Sequence, residues 1–444
     1  MPVKQRVARW AICGAVCAAG ITPSLAQESF IRQHPVETVV VPLPRNTPPQ
    51  SGGNNGGNTD NVPVQAPNDD GLGLRLGSFV LTRGFDAGID YTDNVFATNS
   101  NKTGDRIYSV SPSLGLRSDW SRHSLSLNAT AARGFYEKNP SEDTISANAT
   151  GRLRIDIRRG TTLDLRSGFT LDQEQRGTDD LNVNATKPSN IYGLTASAAL
   201  NHRINRVTMS LRGGIEKLRY QDTKLTGGAV EDNSDRDYTQ TNTTLRVGYD
   251  ISPRLIVFSD INYAKTVYKR RVDNNGDIRD SHSYGASAGA AFSISDLLNG
   301  EISVGYRKAL FDDPTFANID ALVANASLSW RPSRLTEITA NFTTDLGQTT
   351  LSGTPGSVIR TASVNLNHAW RENIDLIASG AVEHEDFKGV SLTEVTYTAS
   401  FGIDYDLGRK MTLGARYNYE KFDSSAAGAD YTINTVGVRL TYAD

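Results

Sequence analysis

The stretch TEVTYTASFGIDYDLGRKMTLGARYNYE, residues 393–420, alternates apolar and polar side chains on both sides of the short sequence LGRK. A period of two is that of a β-strand, in which successive side chains point to opposite faces of the sheet. The stretch therefore predicts two antiparallel strands joined by a tight turn. The apolar face of the first strand would hold Val395, Tyr397, Ala399, Phe401, Ile403, Tyr405 and Leu407.

The same pattern recurs from Leu74 to the C-terminus, with turns or loops between the alternating segments. We count about eighteen such segments, with sixteen as the alternative, and each exceeds the roughly 9–11 residues that a tilted strand needs to cross a bilayer. The pattern predicts an all-β fold: a transmembrane antiparallel up-and-down β-barrel over residues 73–444. Further examples are GRLRIDI (151–157), TTLDLRSGFTLD (161–172), VTMSLRGGI (207–215), TTLRVGYD (243–250) and TVGVRLTY (435–442).

The connections between these segments alternate between short and long. Tight joins such as DWSRH (119–123) and LGRK (407–410) are separated by polar loops such as RRVDNNGDIRD (270–280). Short turns at one end and longer loops at the other are typical of outer-membrane barrels. Just before short turns lie Trp120, Trp330 and Trp370, which predicts one interfacial aromatic girdle.

The first 26 residues have the features of a secretory signal peptide. Lys4, Arg6 and Arg9 precede a short apolar run that ends in small residues, which predicts cleavage near Ala26. The alternative is a buried N-terminal helix. Export through such a signal, together with the predicted barrel, would place the protein in the outer membrane of a Gram-negative bacterium. Both cysteines of the chain lie inside the segment that would be removed, so the mature chain would have no thiols.

Residues 27–72 are rich in Pro, Gly and Asn and contain few core-forming side chains. We interpret them as a disordered, flexible periplasmic linker. The segment ETVVV at 37–41 is apolar enough to add a strand to a partner or to plug a pore, which is the alternative interpretation.

The overall composition excludes two classes of protein. Hydrophobic residues make up 38% of the chain, the mean hydropathy is −0.40, and no long apolar stretch follows residue 26, which excludes helical membrane spans. The formal net charge is −3, and no basic stripe is interleaved with aromatic residues, so nucleic acid is not an expected partner.

A barrel of about eighteen strands is too wide for side chains to fill, so an aqueous lumen is expected. On the first strand the alternation puts Asp86 and Asp90 on the lumen side, while Asp93 has the opposite parity and predicts an Asx-type turn with Asn94 at the outer rim. The alternative for any such residue is a solvated face without a specific role. The candidate pore-lining residues are Asp86, Asp90, Arg152, Arg154, Arg166, Arg212, Arg246, Asp404, Arg416, Glu420 and Arg439.

Three motifs suggest an enzyme or a metal site, but the residues around each motif do not fit that role. G-x-S-x-G around Ser287 lies in a small-residue strand with no helix after it, so it is not a nucleophile elbow. The acidic group 383–386 alternates between faces and cannot converge, so these residues, Glu385 among them, are expected on an exposed polar rim. The loop 273–277 lacks the first ligand of a calcium loop. The sequence therefore predicts no enzyme, no metal site and no cofactor.

The stretch RLGSFVLTRGFDAGIDYTDNVF, residues 75–96, resembles the start of outer-membrane β-barrel porins that are often encoded beside genes for exopolysaccharide synthesis and export. The resemblance extends over the signal peptide, the Pro-rich lead and the barrel pattern. It implies a conduit for exopolysaccharide across the outer membrane that works with a periplasmic polysaccharide-export protein. It implies no site residues, because the motif defines only a strand and its exit.

Two other functions remain open on the sequence alone. One is a surface adhesin or structural barrel that acts through its extracellular loops, and the other is a general diffusion porin. In each case the expected partners include outer-membrane lipid and the barrel-assembly machinery.

Overall fold

The computed structural model describes residues 73–174, 176, 184–295 and 297–444. The predicted signal peptide (1–26) and linker (27–72) lie outside these residues. Eighteen long strands, numbered here in chain order, form the wall: β1 Phe79–Thr92, β2 Asp105–Ser118, β3 Ser124–Tyr136, β4 Thr144–Arg158, β5 Thr161–Gln173, β6 Asn190–Ile204, β7 Val207–Tyr220, β8 Tyr238–Ser252, β9 Leu255–Tyr268, β10 Ser281–Ser295, β11 Leu298–Phe311, β12 Ile319–Ser333, β13 Thr336–Gly347, β14 Ser357–Arg371, β15 Ile374–Phe387, β16 Thr393–Asp406, β17 Met411–Ser424 and β18 Tyr431–Ala443.

Each strand pairs antiparallel with the next one along the chain, and the last strand pairs with the first. The closing ladder between β1 and β18 runs from Gly84 opposite Ala443 to Thr92 opposite Thr435. The sheet is thus a closed up-and-down barrel, which confirms the predicted fold class and the count of eighteen.

Shorter elements complete the described chain. The strand Leu74–Leu76 pairs with the beginning of β1, where β18 has already ended. A 3₁₀-helix covers Pro140–Glu142, and Thr223–Lys224 pairs with Val230–Glu231 in a small hairpin. Among the described residues, no helix is both long enough and apolar enough to span a membrane.

Asp444 stabilises the closing β1–β18 seam at the end of the barrel where Lys410 and the join 407–410 lie. The backbone N–H of Asp444 donates to the carbonyl of Arg83, and its carboxylate accepts hydrogen bonds from the Lys410 ammonium and the Arg83 guanidinium. The hydrogen bonds from Lys410 and Arg83 hold the pKa of the Asp444 carboxyl below its ordinary value. The ion pairs therefore extend the seam beyond the last backbone pair.

The connections define two ends of the barrel. At the short-turn end, the joins 119–123, 159–160, 205–206, 253–254, 334–335, 372–373 and 407–410 have two to five residues. At the long-loop end, the joins include 93–104, 221–237, 269–280 and 348–356. In outer-membrane barrels the short turns face the periplasm.

The two faces of the wall differ in chemistry. On β1, Ile89 is 55% exposed, whereas its neighbour Asp90 is 8% exposed. The polar side chains of each strand point to the concave side of the wall. Arg246 of β8 contacts Glu301 of β11 at 3.0 Å, although three strand spacings of about 4.8 Å separate the two strands along the wall. Side chains can meet over that separation only on the concave side. The outer face of the barrel is therefore the apolar one, and the inner face is polar.

The ladder between β12 and β13 stops early. It runs only from Ser333 opposite Thr336 to Ala326 opposite Phe342, whereas β13 and β14 stay paired up to Gly347 opposite Ser357. Residues 343–361, called here the inserted hairpin end, bend behind β12.

Burial shows where the inserted hairpin end packs. Thr344 has the outward parity of its strand, yet it is only 5% exposed. Val358 is 2% exposed and belongs to an apolar cluster with Ile319 and Ala321 on the inner face of β12. The hairpin end thus lies inside the barrel.

The difference between the two faces can be tested with neighbouring residues on β9. Ile261 is 63% exposed on the outer face, and Asn262 lies on the inner face. We expect Ile261→Arg to lower the free energy of unfolding in lipid by about 2–4 kcal/mol, because a charge near the bilayer midplane loses its hydration. Asn262→Arg is the matched control and should cost less than about 1 kcal/mol. Equal losses in reversible urea unfolding from vesicles would contradict this assignment of the faces.

Candidate functional site

All eleven predicted pore-lining residues fall on the inner face. The register pairs inner-facing residues of each strand with inner-facing residues of the next strand around the whole barrel. Their role in lining a conducting pore stays a prediction. Asp86 and Asp90 lie on β1, Arg152 and Arg154 on β4, Arg166 on β5, Arg212 on β7, Arg246 on β8, Asp404 on β16, Arg416 and Glu420 on β17, and Arg439 on β18.

The basic residues of the inner face gather on one side of the barrel. Arg152 of β4 lies directly opposite Arg166 of β5, and Arg154 lies opposite Asp164. Arg212 follows on β7, opposite Ala199 of β6. We call the arginines of the inner face on β2 to β7 the basic arc: Arg117, Arg152, Arg154, Arg166, Arg203 and Arg212.

The opposite side of the inner face carries more carboxylates. Glu385 of β15 and Glu394 of β16 are directly opposed in the register, and each is 3% exposed. Arg416 forms an ion pair with Asp404 at 2.7 Å, and Tyr431 donates to Glu420 at 3.0 Å. We call this set the acidic arc: Glu383, Glu385, Glu394, Asp404 and Glu420. The charges of the two arcs therefore differ across the barrel.

Between the two arcs, an arginine on β8 holds a compact cluster. The Arg246 guanidinium donates to both carboxylate oxygens of Asp260, at 2.8 and 2.9 Å, and to Glu301 on β11. It also stacks over the Phe258 ring at 3.9 Å. Gly289 makes room for that ring, because a Cβ there would lie 2.5 Å from the Phe258 Cζ. The cluster narrows the lumen with a side chain whose charge is already balanced.

At the long-loop end, residues 348–356 lie across the opening, and we call them the mouth loop. On one side Leu351 packs with Phe387 and Leu392 of the β15–β16 region. On the other side, the Gln348 amide oxygen accepts a hydrogen bond from Tyr268 of β9 at 3.2 Å. The loop thus contacts widely separated strands and covers part of the lumen.

One arginine holds the mouth loop in place. Arg279 has a side chain that is 3% exposed, and its guanidinium donates to the backbone carbonyls of Thr349, Thr354 and Leu351 at 2.6, 2.7 and 2.9 Å. Its Nε donates to Asp273 at 2.6 Å. Since the positive charge is balanced inside the protein, Arg279 serves as a clamp and not as a ligand for passing ions.

Three further loops are joined by buried ion pairs. Arg236 contacts Glu174 at 2.6 Å and stacks over the Tyr220 ring at 4.1 Å, and Arg176 contacts Glu142 at 2.7 Å. Burial raises the pKa of the Glu174 carboxyl above its ordinary value, and the Arg236 charge acts in the opposite direction. Long loops at this end therefore pack on one another and form a layer.

The motifs that sequence analysis rejected have other roles. Ser287 lies on the inner face of β10, with no helix after it. The Asp273 carboxylate accepts from the backbone N–H of Asn275 and of Asp277, which shapes the loop that presents Arg279. Within the described residues, no group of three or more His, Cys, Asp or Glu could hold a metal ion.

Two details differ from the sequence analysis. The side chain that bonds the local backbone at the outer rim is that of Asn94, whose amide oxygen accepts from the N–H of Thr98 at 3.0 Å. The Asp93 carboxylate instead accepts from the N–H and the side-chain amide of Asn434 on β18. Glu385, expected on an exposed rim, is buried because the inserted hairpin end lies beside it, and Ser357 donates to it. Both differences come from partners that are distant in sequence.

The inner face also brings together residues that the sequence pattern had not singled out. Arg203 has the same parity as Asn201 and pairs with Asp250, so extending the alternation into the turn would have found it. Asp260 could have been found in the same way on β9. Arg279 had no such signal, because its partners are carbonyls of a loop about seventy residues away.

The three tryptophans lie at the short-turn end, as their positions before short turns require. Trp120, Trp330 and Trp370 are 39%, 47% and 57% exposed. The ring of Trp120 packs edge-on against Phe79, with ring centroids 5.5 Å apart. Their role as a membrane girdle stays a prediction.

That girdle can be tested by fluorescence. In three variants that each keep one tryptophan and replace the other two by Phe, we expect lipids brominated near the headgroup to quench each signal more than lipids brominated deep in the chain. Any tryptophan that is quenched more strongly by the deep bromines would not belong to the girdle.

The clamp on the mouth loop leads to a prediction for conductance. Arg279→Ala removes the donor from three backbone carbonyls and leaves Asp273 without its cation, so we expect a looser mouth loop and a larger single-channel conductance. Arg271→Ala is the matched control, because it removes one exposed charge from the same loop. If both variants conduct like the parent in planar bilayers, the mouth loop does not limit passage.

Comparison with known proteins agrees with the barrel geometry. The family model described as "Putative beta-barrel porin 2" matches residues 66–444. No curated protein matches the chain significantly. Solved structures similar to it include OpdL of Pseudomonas aeruginosa, with 12% identity, 83% of this chain and 99% of that chain covered and a TM-score of 0.42. The siderophore receptor PiuA of Acinetobacter baumannii is also similar, with 9% identity, 84% and 82% covered and a TM-score of 0.44. Because the family model covers most of the chain, this protein belongs to the family described as Putative beta-barrel porin 2.

Proposed function

We propose that this outer-membrane porin-like barrel conducts exopolysaccharide, or other large polar solutes, from the periplasm to the cell exterior. The observation that carries the proposal is the closed eighteen-stranded wall with an apolar outer face and a charged inner face. Barrels of this size leave a lumen that side chains cannot fill. A polar, hydrated chain could pass such a wall without contacting lipid.

The inner face favours polar solutes with many hydroxyl groups. Serine, threonine and asparagine alternate along the inner parity of β3 and β4, where Asn128 lies opposite Thr150 and Thr130 lies opposite Asn148. Such side chains exchange hydrogen bonds with a sugar or with water at similar free energy, so they bind weakly and release readily.

The mouth loop gives the channel a closed or narrowed state. Passage of a polymer requires residues 348–356 to move aside, and the three hydrogen bonds from Arg279 resist that movement. We infer that opening is coupled to a partner or to the polymer itself. A periplasmic polysaccharide-export protein is the partner we propose at the short-turn end, with residues 27–72 available as a tether.

Two measurements test the proposal. In planar bilayers the purified protein should form pores, and Arg279→Ala should admit larger neutral polymers than the parent. In cells, deletion of the gene should abolish secreted polysaccharide while the polymer accumulates in the periplasm. Complementation with the intact gene is the control for effects of the deletion on neighbouring genes.

The outcomes separate the alternatives. Unchanged secretion with intact periplasmic export would reject the polysaccharide role and leave a general diffusion porin. A folded protein that never opens a pore, even with Arg279 replaced, would reject transport and favour a surface adhesin or structural barrel.

A further inference from the structure

A cavity at the short-turn end is lined by an unusual number of arginines. Its volume is about 330 Å³, at the lower end of the roughly 300–1,000 Å³ of ligand pockets. The single carboxylate in the lining belongs to Asp156. The arginines come from three neighbouring turns and the strands beside them: Arg122, Arg154, Arg158, Arg159 and Arg203.

Most of these guanidinium groups are not neutralised by carboxylates. Arg122 donates to the carbonyl of Ile157 at 3.1 Å, and Arg158 donates to the hydroxyl of Thr161 at 3.3 Å. Within the described part of the chain, neither forms an ion pair, and the same holds for Arg159. Like charges held this close repel one another, so an added anion would lower the electrostatic energy of the folded protein.

The remaining charges in the cavity are only partly balanced. Arg154 contacts Asp156 at 3.4 Å, with side chains 33% and 40% exposed, so solvent weakens the attraction. Arg203 pairs with Asp250. The cavity therefore keeps a net positive charge, which comes from Arg122, Arg158 and Arg159. A guanidinium group can bind a carboxylate or phosphate through two parallel hydrogen bonds.

The position of the cavity indicates where its ligand comes from. Arg154, Thr162 and Asn201 have the inner parity, so the cavity opens into the lumen and not only toward the membrane surface. Above it, Arg152 and Arg166 face each other on the same side of the barrel. A negatively charged chain bound in the cavity could thus pass directly onto the basic arc.

We propose that this cavity, the arginine vestibule, binds the acidic groups of an anionic glycan as the glycan enters the barrel from the periplasm. This inference rests on the proposed function and names its substrate class: a polysaccharide that carries carboxylate or phosphate groups. The vestibule captures the leading segment by charge, and the basic arc guides it into the lumen.

The test is a binding assay on the purified protein in detergent, with fluorescently labelled decagalacturonate as the probe. Arg158→Gln combined with Arg159→Gln should raise the dissociation constant at least about tenfold, because two unpaired charges are lost. The matched control combines Arg334→Gln with Arg409→Gln, which removes two exposed charges from other short turns and should change it less than about twofold. Heat-dependent gel mobility checks that both variants are folded.

The proposal would be overturned by equal loss in the two double variants, by equally tight binding of neutral labelled maltodecaose, or by no binding at all. Inorganic phosphate and phosphatidylglycerol vesicles are the competing probes. If either displaces the glycan at a lower concentration than unlabelled decagalacturonate does, the vestibule is a site for free phosphate or for lipid headgroups.

The assay does not depend on conduction. A protein that binds decagalacturonate at the vestibule but forms no pore would keep this inference and reject the transport function. A protein that conducts and supports secretion but binds no acidic glycan would keep the transport function and reject the vestibule.

Discussion

The circular closure of the backbone hydrogen-bond ladder is the constraint on which the rest of this structure depends. In hydrocarbon no water is present to satisfy a free N–H or C=O, so a sheet can cross a membrane only if its first and last strands pair. Here β1 pairs with β18, and Asp93 and Asp444 extend that seam at its two ends through side chains. Closure also sets the parity of all eighteen strands, because one inner face must continue around the whole circle.

The wall departs from this regular strand pairing at its long-loop end. Toward the long-loop end, the β12–β13 ladder stops at Ala326 opposite Phe342, and the inserted hairpin end moves inside. Apolar packing of Val358 on Ile319 replaces part of the missing ladder, and Arg279 satisfies carbonyls of the mouth loop. In the proposed function, a mouth loop held by these contacts would restrict the lumen at its long-loop end.

The charges of the inner face fall into two kinds. Arg246, Arg279 and Arg307 are matched to carboxylates at short distances, so they shape the lumen and hold its loops. The arginines of the vestibule lie at the opposite end and are mostly unmatched. In the proposed function, the matched arginines would shape the channel and the vestibule arginines would be the first that an exported solute meets.

The sequence by itself determined the barrel and the face on which the strand residues lie, because these follow from a local period of two that a membrane enforces along each strand. It indicated about eighteen strands and left sixteen open, and the register of the structure decided for eighteen. Asp90 and Arg166 could be assigned to the inner face on parity alone. The tertiary structure decided which charges meet: the partners of Arg279, the burial of Glu385 and the cross-strand contact of Arg246 with Glu301 depend on loop paths and curvature. Such contacts join residues that are far apart in the chain, and no local period records them.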